Sequence, residues 1–200
     1  MIRHLGNKAL LIVDVQNDFC PQGALPVPKG DKVVPVINCY LKIFQRNKYL
    51  IFASRDWHPR KTAHFKEFGG SWPVHCVQKT KGARFHPRLK LPRTAIILSK
   101  GCKRDQDGYS AFTGADPNGK LFKEILELHG IEELYVAGLA TDYCVKSSVL
   151  DALKAGFKVK LLTDAVNGVN IKPDDSKKAV RQMIRAGAKR LTLSHFKKDN

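Results

Sequence analysis

Three residues of this chain are of the types that form an activated nucleophile. Asp14, Lys100 and Cys144 each follow, within a few residues, a short apolar run. A carboxylate can take the proton of a nearby thiol, and an ammonium group can stabilise the negative charge that then develops. Cys144 also lies in the first turn of a predicted helix, where N–H groups favour a thiolate and can bind an oxyanion. The set predicts nucleophilic chemistry without a catalytic histidine.

Each of these residues also has an ordinary structural interpretation. Asp14 could be a turn or helix-cap residue, Lys100 a surface lysine, and Cys144 a small buried apolar side chain. The catalytic interpretation is favoured only because the three residues are expected to lie together at one edge of the fold. The residue types alone leave the catalytic and the structural interpretation open.

A second group has the donor atoms of a metal site. Asp56 and His58 are two residues apart, so in an extended segment their side chains point to the same side. His64 and His75 in the following loop could complete three or four nitrogen and oxygen ligands. Such a set suits Zn²⁺, with Fe²⁺ or Mn²⁺ as alternatives. His64 and His75 could equally be ordinary polar loop residues.

The elements that must position these side chains follow the pattern of a parallel α/β sheet, in which short apolar runs alternate with segments of helical period. The run 9–13 is apolar throughout, as expected of a strand covered on both faces. Ligands of such sheets bind beyond the carboxyl ends of the strands, where the candidate residues would converge. We predict strands at 9–13, 49–53, 95–98, 134–137, 158–162 and 190–193, and helices from about 31 and at 120–129, 142–155 and 174–186.

The chain reads as one domain over residues 1–200. It has no internal repeat, low-complexity tract or interdomain linker. Residues 56–93 interrupt the alternation with a loop rich in proline, glycine, histidine and aromatic residues. Loops of this length in compact domains are usually functional or disordered, and the two tryptophans and four histidines argue against disorder. We therefore expect this loop region to carry the metal ligands.

Composition limits the classes of function. No run of about 18 apolar residues occurs, so no transmembrane helix is expected, and the N-terminal run lacks the cleavage site of a signal peptide. Five cysteines without a CxxC pair indicate reduced thiols and a cytoplasmic protein.

The net charge of +17 makes nucleic-acid binding a remote alternative. The basic residues are scattered, however, and the densest clusters, Lys177–Lys178 with Arg181 and Lys197–Lys198, accompany no known nucleic-acid motif. A solvated basic surface is therefore the favoured interpretation.

Nine segments, in order along the chain, resemble the nicotinamidases, which belong to the isochorismatase-like cysteine hydrolases. The resemblance runs from Ala9 to about Ala188, so it is far more specific than any single motif. It implies an isochorismatase-like, Rossmann-like three-layer sandwich with a mostly parallel six-stranded sheet. The segments are DVQNDF (14–19), GALPVPKGD (23–31), SRDWHP (54–59), WPVHCV (72–77), SKG (99–101), DGYSAF (107–112), GLATDYCV (138–145), SVLDALKAGFKV (148–159) and VNI (169–171).

The resemblance implies a role for each matched residue. Asp14, Lys100 and Cys144 match the catalytic triad of the family, and the backbone N–H groups of Ala140 and Cys144 match its oxyanion hole, with a cis peptide before Ala140. The metal ligands it implies are Asp56, His58 and His75, with His64 as a fourth ligand because some members carry a histidine there. The aromatic side chains that match the wall of the ring pocket are Phe19, Trp57 and Tyr109.

The activity implied is hydrolysis of nicotinamide to nicotinate and ammonia through a cysteine thioester, within NAD salvage and pyridine nucleotide biosynthesis, with pyrazinamide as a further substrate. One divalent ion, Zn²⁺ before Fe²⁺ or Mn²⁺, is the expected cofactor. A different amidase of the superfamily, acting on ureido or carbamoyl substrates, is the alternative. The Asp-x-His plus His set weighs against it, because such relatives generally lack these ligands. No membrane partner is expected, and a homo-oligomer is left open.

Overall fold

One six-stranded sheet forms the centre of the molecule. Its strands are β1 (Lys8–Val13), β2 (Leu50–Asp56), β3 (Ile96–Lys100), β4 (Glu133–Leu139), β5 (Lys158–Asn167) and β6 (Lys189–Leu191). They lie in the order β3-β2-β1-β4-β5-β6, and each neighbouring pair is parallel. The computed structural model describes residues 6–196, so Lys197 and Lys198 of the predicted basic cluster lie outside the described residues. The parallel six-stranded sheet predicted from the alternating pattern is confirmed.

Helices cover both faces of the sheet and complete three layers. They are α1 (Val33–Arg46), α2 (Phe122–Leu128), α3 (Lys146–Lys154), α4 (Asp175–Arg185) and α5 (Leu193–Phe196). Apolar side chains of α1 and α5 pack on one face, and those of α2, α3 and α4 pack on the other. Alternate residues of β1 enter the two cores, Leu10 and Ile12 on the α1 side and Ala9, Leu11 and Val13 on the α3 side. The unbroken apolar run of β1 follows from this burial on both faces.

The chain order creates a place for a ligand beside β1. From β1 the chain moves outward to β2 and β3, then returns to β4 on the opposite side of β1. Connections that leave in opposite directions open a crevice at the carboxyl ends of the two central strands. Asp14 directly follows β1, and Cys144 follows β4 by five residues.

Two helix starts differ from the predicted ones. A 3₁₀ turn, Gly30–Lys32, precedes α1. Pro35 lies in the first turn of α1, where the N–H that proline lacks would form no helical hydrogen bond. Residues Thr141–Val145 form a π-helical turn before α3 begins at Lys146. Turns of this kind are frequent at functional sites.

The last two strands also differ from prediction. β5 continues to Asn167 because it bulges between Leu161, which pairs with Val136, and Val166, after which Val166 and Asn167 pair with Gly138 and Leu139. This extension was not predicted, because polar residues interrupt the apolar run after Leu162. The final strand ends at Leu191, since α5 begins at Leu193.

The long loop between β2 and β3 has little regular structure. It contains a 3₁₀ turn at Lys66–Phe68. An isolated bridge between His58 and Val77 joins two parts of the loop, and one between Gln16 and Phe85 attaches the loop to the segment after β1. Among residues 6–196, no helix is both long and apolar enough to cross a bilayer.

Candidate functional site

Asp14 lies buried at the end of β1. Its backbone is left-handed, with φ 48°, which turns the chain at the strand end. The carboxylate accepts a hydrogen bond from the Ser54 hydroxyl at 2.7 Å and forms an ion pair with Lys100 Nζ at 2.7 Å. Burial raises the pKa of Asp14 to about 6, because desolvation disfavours the charged form more than Lys100 favours it. The group is therefore ionised at neutral pH but poised to accept a proton.

Lys100 is the last residue of β3 and is also buried. Its ammonium group contacts the carboxylates of Asp14 and Asp56 and donates to the Gly108 carbonyl. Burial alone would lower the pKa of Lys100, but the two carboxylates outweigh it and raise the pKa well above the usual value. Lys100 is thus a fixed positive charge.

Cys144 completes this cluster from the π-helical turn. Its Sγ lies 3.5 Å from Lys100 Nζ. The side chain is buried, and burial raises the pKa of the thiol well above its usual value, with Lys100 acting in the opposite direction. The expectation that the helix start alone would favour a thiolate is therefore corrected: the resting group is a protonated thiol, which needs a base.

Three histidines form a second cluster next to this one. The ligand nitrogens of His58, His64 and His75 lie within 4.8 Å of one another, and all three side chains are buried. The Nδ1 atom of each ring lies within hydrogen-bonding distance of a carbonyl or carboxylate oxygen, which can only accept a hydrogen bond. These oxygens are Gly101 O at 3.1 Å, Asp107 Oδ1 at 2.9 Å and Pro73 O at 2.7 Å. Each Nδ1 therefore carries the hydrogen, which leaves every Nε2 with a free lone pair.

This donor set fits a divalent metal ion. His58 Nε2 is buried and has no hydrogen-bond partner among the described residues. Burial lowers the pKa of His75 to about 4 and lowers that of His64, so both rings are neutral at neutral pH. Neutral imidazoles that each donate from Nδ1 are the usual form of metal-binding histidines.

Asp56 connects the two clusters. One carboxylate oxygen contacts Lys100, and the other lies 3.8 Å from His58 Nε2 and 3.9 Å from His75 Nε2. Burial alone would raise the pKa of Asp56, but Lys100 and the histidines lower it well below the usual value. Three nitrogens and one carboxylate oxygen at this place match the preferences of Zn²⁺.

A cavity of about 430 Å³, including its mouth, lies above both clusters. It is lined by side chains of both clusters and by an aromatic wall. Trp72 Nε1 donates to the Tyr109 hydroxyl at 2.7 Å, and the Trp72 ring meets Tyr143 edge-on at 4.9 Å between centroids. The aromatic residues of this wall are Phe19, Trp72, Tyr109 and Tyr143.

Trp57 was predicted to form part of this wall, and that prediction is wrong. Successive side chains of an extended segment point to opposite sides, so Trp57 points away from the side shared by Asp56 and His58. It does not line the cavity, and its ring packs under the Arg55 guanidinium, 3.7 Å from the ring centroid. Trp72 lines the cavity instead.

The turn that carries Cys144 also forms one wall. Ala140 and Cys144 both line the cavity, and the expected cis peptide lies between Leu139 and Ala140. The Ala140 carbonyl accepts hydrogen bonds from the N–H groups of Tyr143 and Val145 at 3.0 and 3.1 Å. The backbone around Ala140 and Cys144 is thereby held in one conformation.

Several supporting residues were missed at the sequence level. The Gln16 side chain bonds both the N–H and the carbonyl of Asp56 at 2.8 Å. Asp18 accepts hydrogen bonds from the N–H groups of Cys76 and Ala24 and so anchors the segment that bears His75. Both lie in DVQNDF, so the polar residues between Asp14 and Phe19 were the available signal.

The strand order and the position of the site place this protein in the class of doubly wound α/β proteins. A family model described as Isochorismatase domain matches residues 8–194. The chain therefore belongs to the isochorismatase family.

Individual relatives cover nearly the whole chain. The nicotinamidase of Escherichia coli K12 is 43% identical over 94% of this chain and 96% of its own length. A crystal structure of Pyrococcus horikoshii pyrazinamidase in complex with zinc has 46% identity and a TM-score of 0.87, covering 94% of this chain and 100% of that one. The PnC1 structure of L. infantum in complex with nicotinate has 33% identity and a TM-score of 0.83, covering 94% of both chains.

Proposed function

We propose that this protein is a nicotinamidase, which hydrolyses nicotinamide to nicotinate and ammonia as a step of NAD salvage. The similarity to the E. coli nicotinamidase and to the nicotinate-bound PnC1 structure supports this substrate. The observation that carries the proposal is the 3.5 Å approach of Cys144 Sγ to Lys100, itself paired with Asp14, beside a cavity lined by aromatic side chains and by the histidine cluster.

Asp14 acts as the base in the first step. It takes the proton of the Cys144 thiol while the sulfur attacks the amide carbon. The Lys100 ammonium group stabilises the negative charge as it moves from the Asp14 carboxylate to the sulfur. The backbone N–H groups of Ala140 and Cys144 hold the oxyanion of the tetrahedral intermediate. Loss of one such donor typically costs about 3 to 4 kcal/mol of barrier stabilisation.

The carbon–nitrogen bond then breaks, and Asp14 returns the proton to the nitrogen, which leaves as ammonia. In the second half, water attacks the thioester carbon and gives one proton to Asp14. The carbon–sulfur bond breaks, nicotinate departs, and the sulfur regains its proton. Asp14 thus serves as base and acid in turn, as its pKa of about 6 allows.

His58, His64, His75 and Asp56 are proposed to hold one divalent ion, with Zn²⁺ favoured by the donor set and by the zinc-bound P. horikoshii relative. When bound, such an ion supplies an electron-pair acceptor for the ring nitrogen of the substrate. Phe19 and Trp72 enclose the ring and direct its carboxamide toward Cys144. Positioning of this kind can contribute roughly 7 to 11 kcal/mol to a reaction.

Pyrazinamide is a second proposed substrate. It differs from nicotinamide by one ring nitrogen, and the P. horikoshii relative is a pyrazinamidase. Because the nucleophile must be a thiol and all five cysteines are free, we expect the protein to work in a reducing compartment such as the cytoplasm.

The direct test is ammonia release from nicotinamide by the purified, zinc-loaded protein. Cys144→Ala removes the nucleophile, so we expect turnover to fall at least about 10⁴-fold while nicotinamide binding persists. Cys39→Ala, on α1 and outside the cavity lining, is the matched control and should retain wild-type rates. Substantial turnover by Cys144→Ala would exclude Cys144 as the nucleophile. Faster release of ammonia from ureido or carbamoyl compounds than from nicotinamide would instead favour a different amidase.

A further inference from the structure

A second cleft lies beside the catalytic cavity, between the first turns of α4, strand β6 and the chain segment 167–170. We propose that this cleft, here called the α4 cleft, binds the phosphate group of a phosphorylated small molecule. Its volume of about 470 Å³ is within the size range of small-molecule sites.

Positive charge converges on the α4 cleft from two elements. Lys177 and Arg181 are four residues apart on α4 and so lie on one face, and Arg190 enters from β6. None of the lining residues within 6–196 carries a carboxylate. Lys177 pairs with Asp174 at 2.8 Å, but Arg181 and Arg190 have no ion-pair partner in the described part of the chain. Guanidinium groups suit phosphate because they donate two parallel hydrogen bonds.

The start of α4 borders the cleft. Ser176 is one of the lining residues, and its Oγ, which has no hydrogen-bond partner within residues 6–196, is shielded from solvent behind the surface of the cleft. It lies in the first turn of the 11-residue helix α4, where the positive end of the helix dipole favours an anion. A Cβ at Gly168 would come within 2.0 Å of this oxygen, so the glycine leaves room for the hydroxyl.

The shape favours a small ligand over a polymer. The three cations face one concavity, whereas single-stranded nucleic acids bind along extended basic grooves with exposed aromatic rings. The lining of the α4 cleft contains no aromatic side chain among the described residues. A phosphorylated metabolite fits these features better than a nucleic-acid chain.

The α4 cleft and the catalytic cavity share two walls. Thr141 lines the cleft, while Ala140 and Cys144 of the same turn line the cavity. Gly168 and Asn170 line the cleft, and Val169 between them lines the cavity. A ligand in the cleft therefore touches the reverse side of the segments that shape the catalytic cavity, without using any residue of the proposed chemistry.

The test is isothermal titration calorimetry of the full-length zinc-loaded protein with pyrophosphate, at ionic strength held constant with sodium chloride. Removal of two guanidinium contacts in the double variant Arg181→Gln/Arg190→Gln should weaken binding at least about tenfold, which corresponds to 1.4 kcal/mol. Arg185→Gln removes one guanidinium from an exposed residue of the same helix that does not line the cleft, and it should bind as the wild type does. Calorimetry needs no turnover, so its outcome is independent of the proposed amidase activity.

Absence of binding by the wild-type protein would overturn the proposal. Equal weakening in Arg185→Gln would also overturn it, because the attraction would then be a general property of the basic surface. A third arm uses a single-stranded oligonucleotide. The oligonucleotide could bind more tightly than pyrophosphate, and all variants, Arg185→Gln included, could weaken that binding equally. This result would replace the small-molecule site with a nucleic-acid surface.

Discussion

At the scale of single residues, burial decides the charge of each group in the proposed catalytic set. The Cys144 thiol has a raised pKa, so it is protonated at rest, whereas Asp14, with a pKa of about 6, is ionised at neutral pH. Lys100 stays positive because two carboxylates face it. The resting site therefore contains a thiol and a base, and the thiolate is needed only during attack.

This charge pattern predicts an acid limb in the pH profile. Asp14 must be ionised to take the thiol proton, and its raised pKa means that protonation begins near pH 6 as the pH falls. We expect kcat/KM for nicotinamide to fall about tenfold per pH unit below that value. Steady-state ammonia release measured across the pH range checks this. A profile that stays flat down to about pH 5 would remove Asp14 as the base.

Gly101 supports the histidine cluster through the absence of a side chain. A Cβ there would lie 2.5 Å from His58 Cε1, and φ is +63°. We expect Gly101→Ala to displace the His58 ring, reduce zinc content measured by elemental analysis, and cost about 2 to 4 kcal/mol of folding free energy. Gly119→Ala is the control, since its φ is +83° but no atom lies within 4 Å of the added carbon. It should lose only about 1 kcal/mol and keep its zinc. Equal zinc content in both variants would contradict this role of Gly101.

At the scale of elements, the π-helical turn is held to the segment after β5 by one carboxylate. Asp142 accepts hydrogen bonds from the N–H groups of Val169 and Asn170 at 2.9 and 2.7 Å, and Val169 lines the catalytic cavity. Asp142→Asn places an amide donor against one of these N–H donors. We expect a loss of about 1 to 3 kcal/mol in denaturant unfolding and a raised KM for nicotinamide.

Asp151→Asn on α3 is the matched control for this change. Among the described residues its side chain makes no hydrogen bond or ion pair with the cavity walls, and it does not line the cavity. Stability and KM should stay close to wild type in this variant. If both variants behave alike, Asp142 does not hold the turn.

The sequence pattern was sufficient to predict the sheet and the convergence of the polar residues beside it, but not the local geometry. Unbroken apolar runs located β1, β2 and β4, which are buried on both faces, whereas β5 and the edge strand β6 begin with basic residues and were predicted from shorter apolar patterns. The extension of β5 through Thr163 and Asp164 was not predicted, since it depends on a bulge in β5 after its pairing with Val136. The π-helical turn was not predicted either. Its hydrogen bond from the Val145 N–H to the Ala140 carbonyl depends on backbone geometry and is not indicated by the residue types.

The aromatic wall shows where resemblance reached its limit. The resemblance assigned Trp57 to this wall and gave no role to Trp72. The alternation of side chains along an extended segment excluded Trp57, because Asp56 and His58 occupy the side that faces the cavity. Tyr143 was not predicted to be part of the wall, because only the fold brings its ring against that of Trp72.

At the scale of the whole molecule, the proposed metal ties the long loop to the sheet. Asp56 ends β2, whereas His58, His64 and His75 lie in the loop that follows. An ion that binds only the folded state stabilises it by about 2.7 kcal/mol at a concentration one hundred times its Kd. We expect a chelator to lower Tm and abolish ammonia release, and added Zn²⁺ to restore both. Differential scanning calorimetry with and without chelator measures the shift, and an unchanged Tm would argue against a bound ion.

Asp56 belongs to two neighbourhoods at once, with one oxygen against Lys100 and the other facing the histidines. The two halves of the site therefore cannot be redesigned independently. An engineer who exchanges this carboxylate to recruit a different ion also withdraws a counter-charge from the ammonium beside the sulfur, and so retunes the nucleophile while intending to alter only the metal.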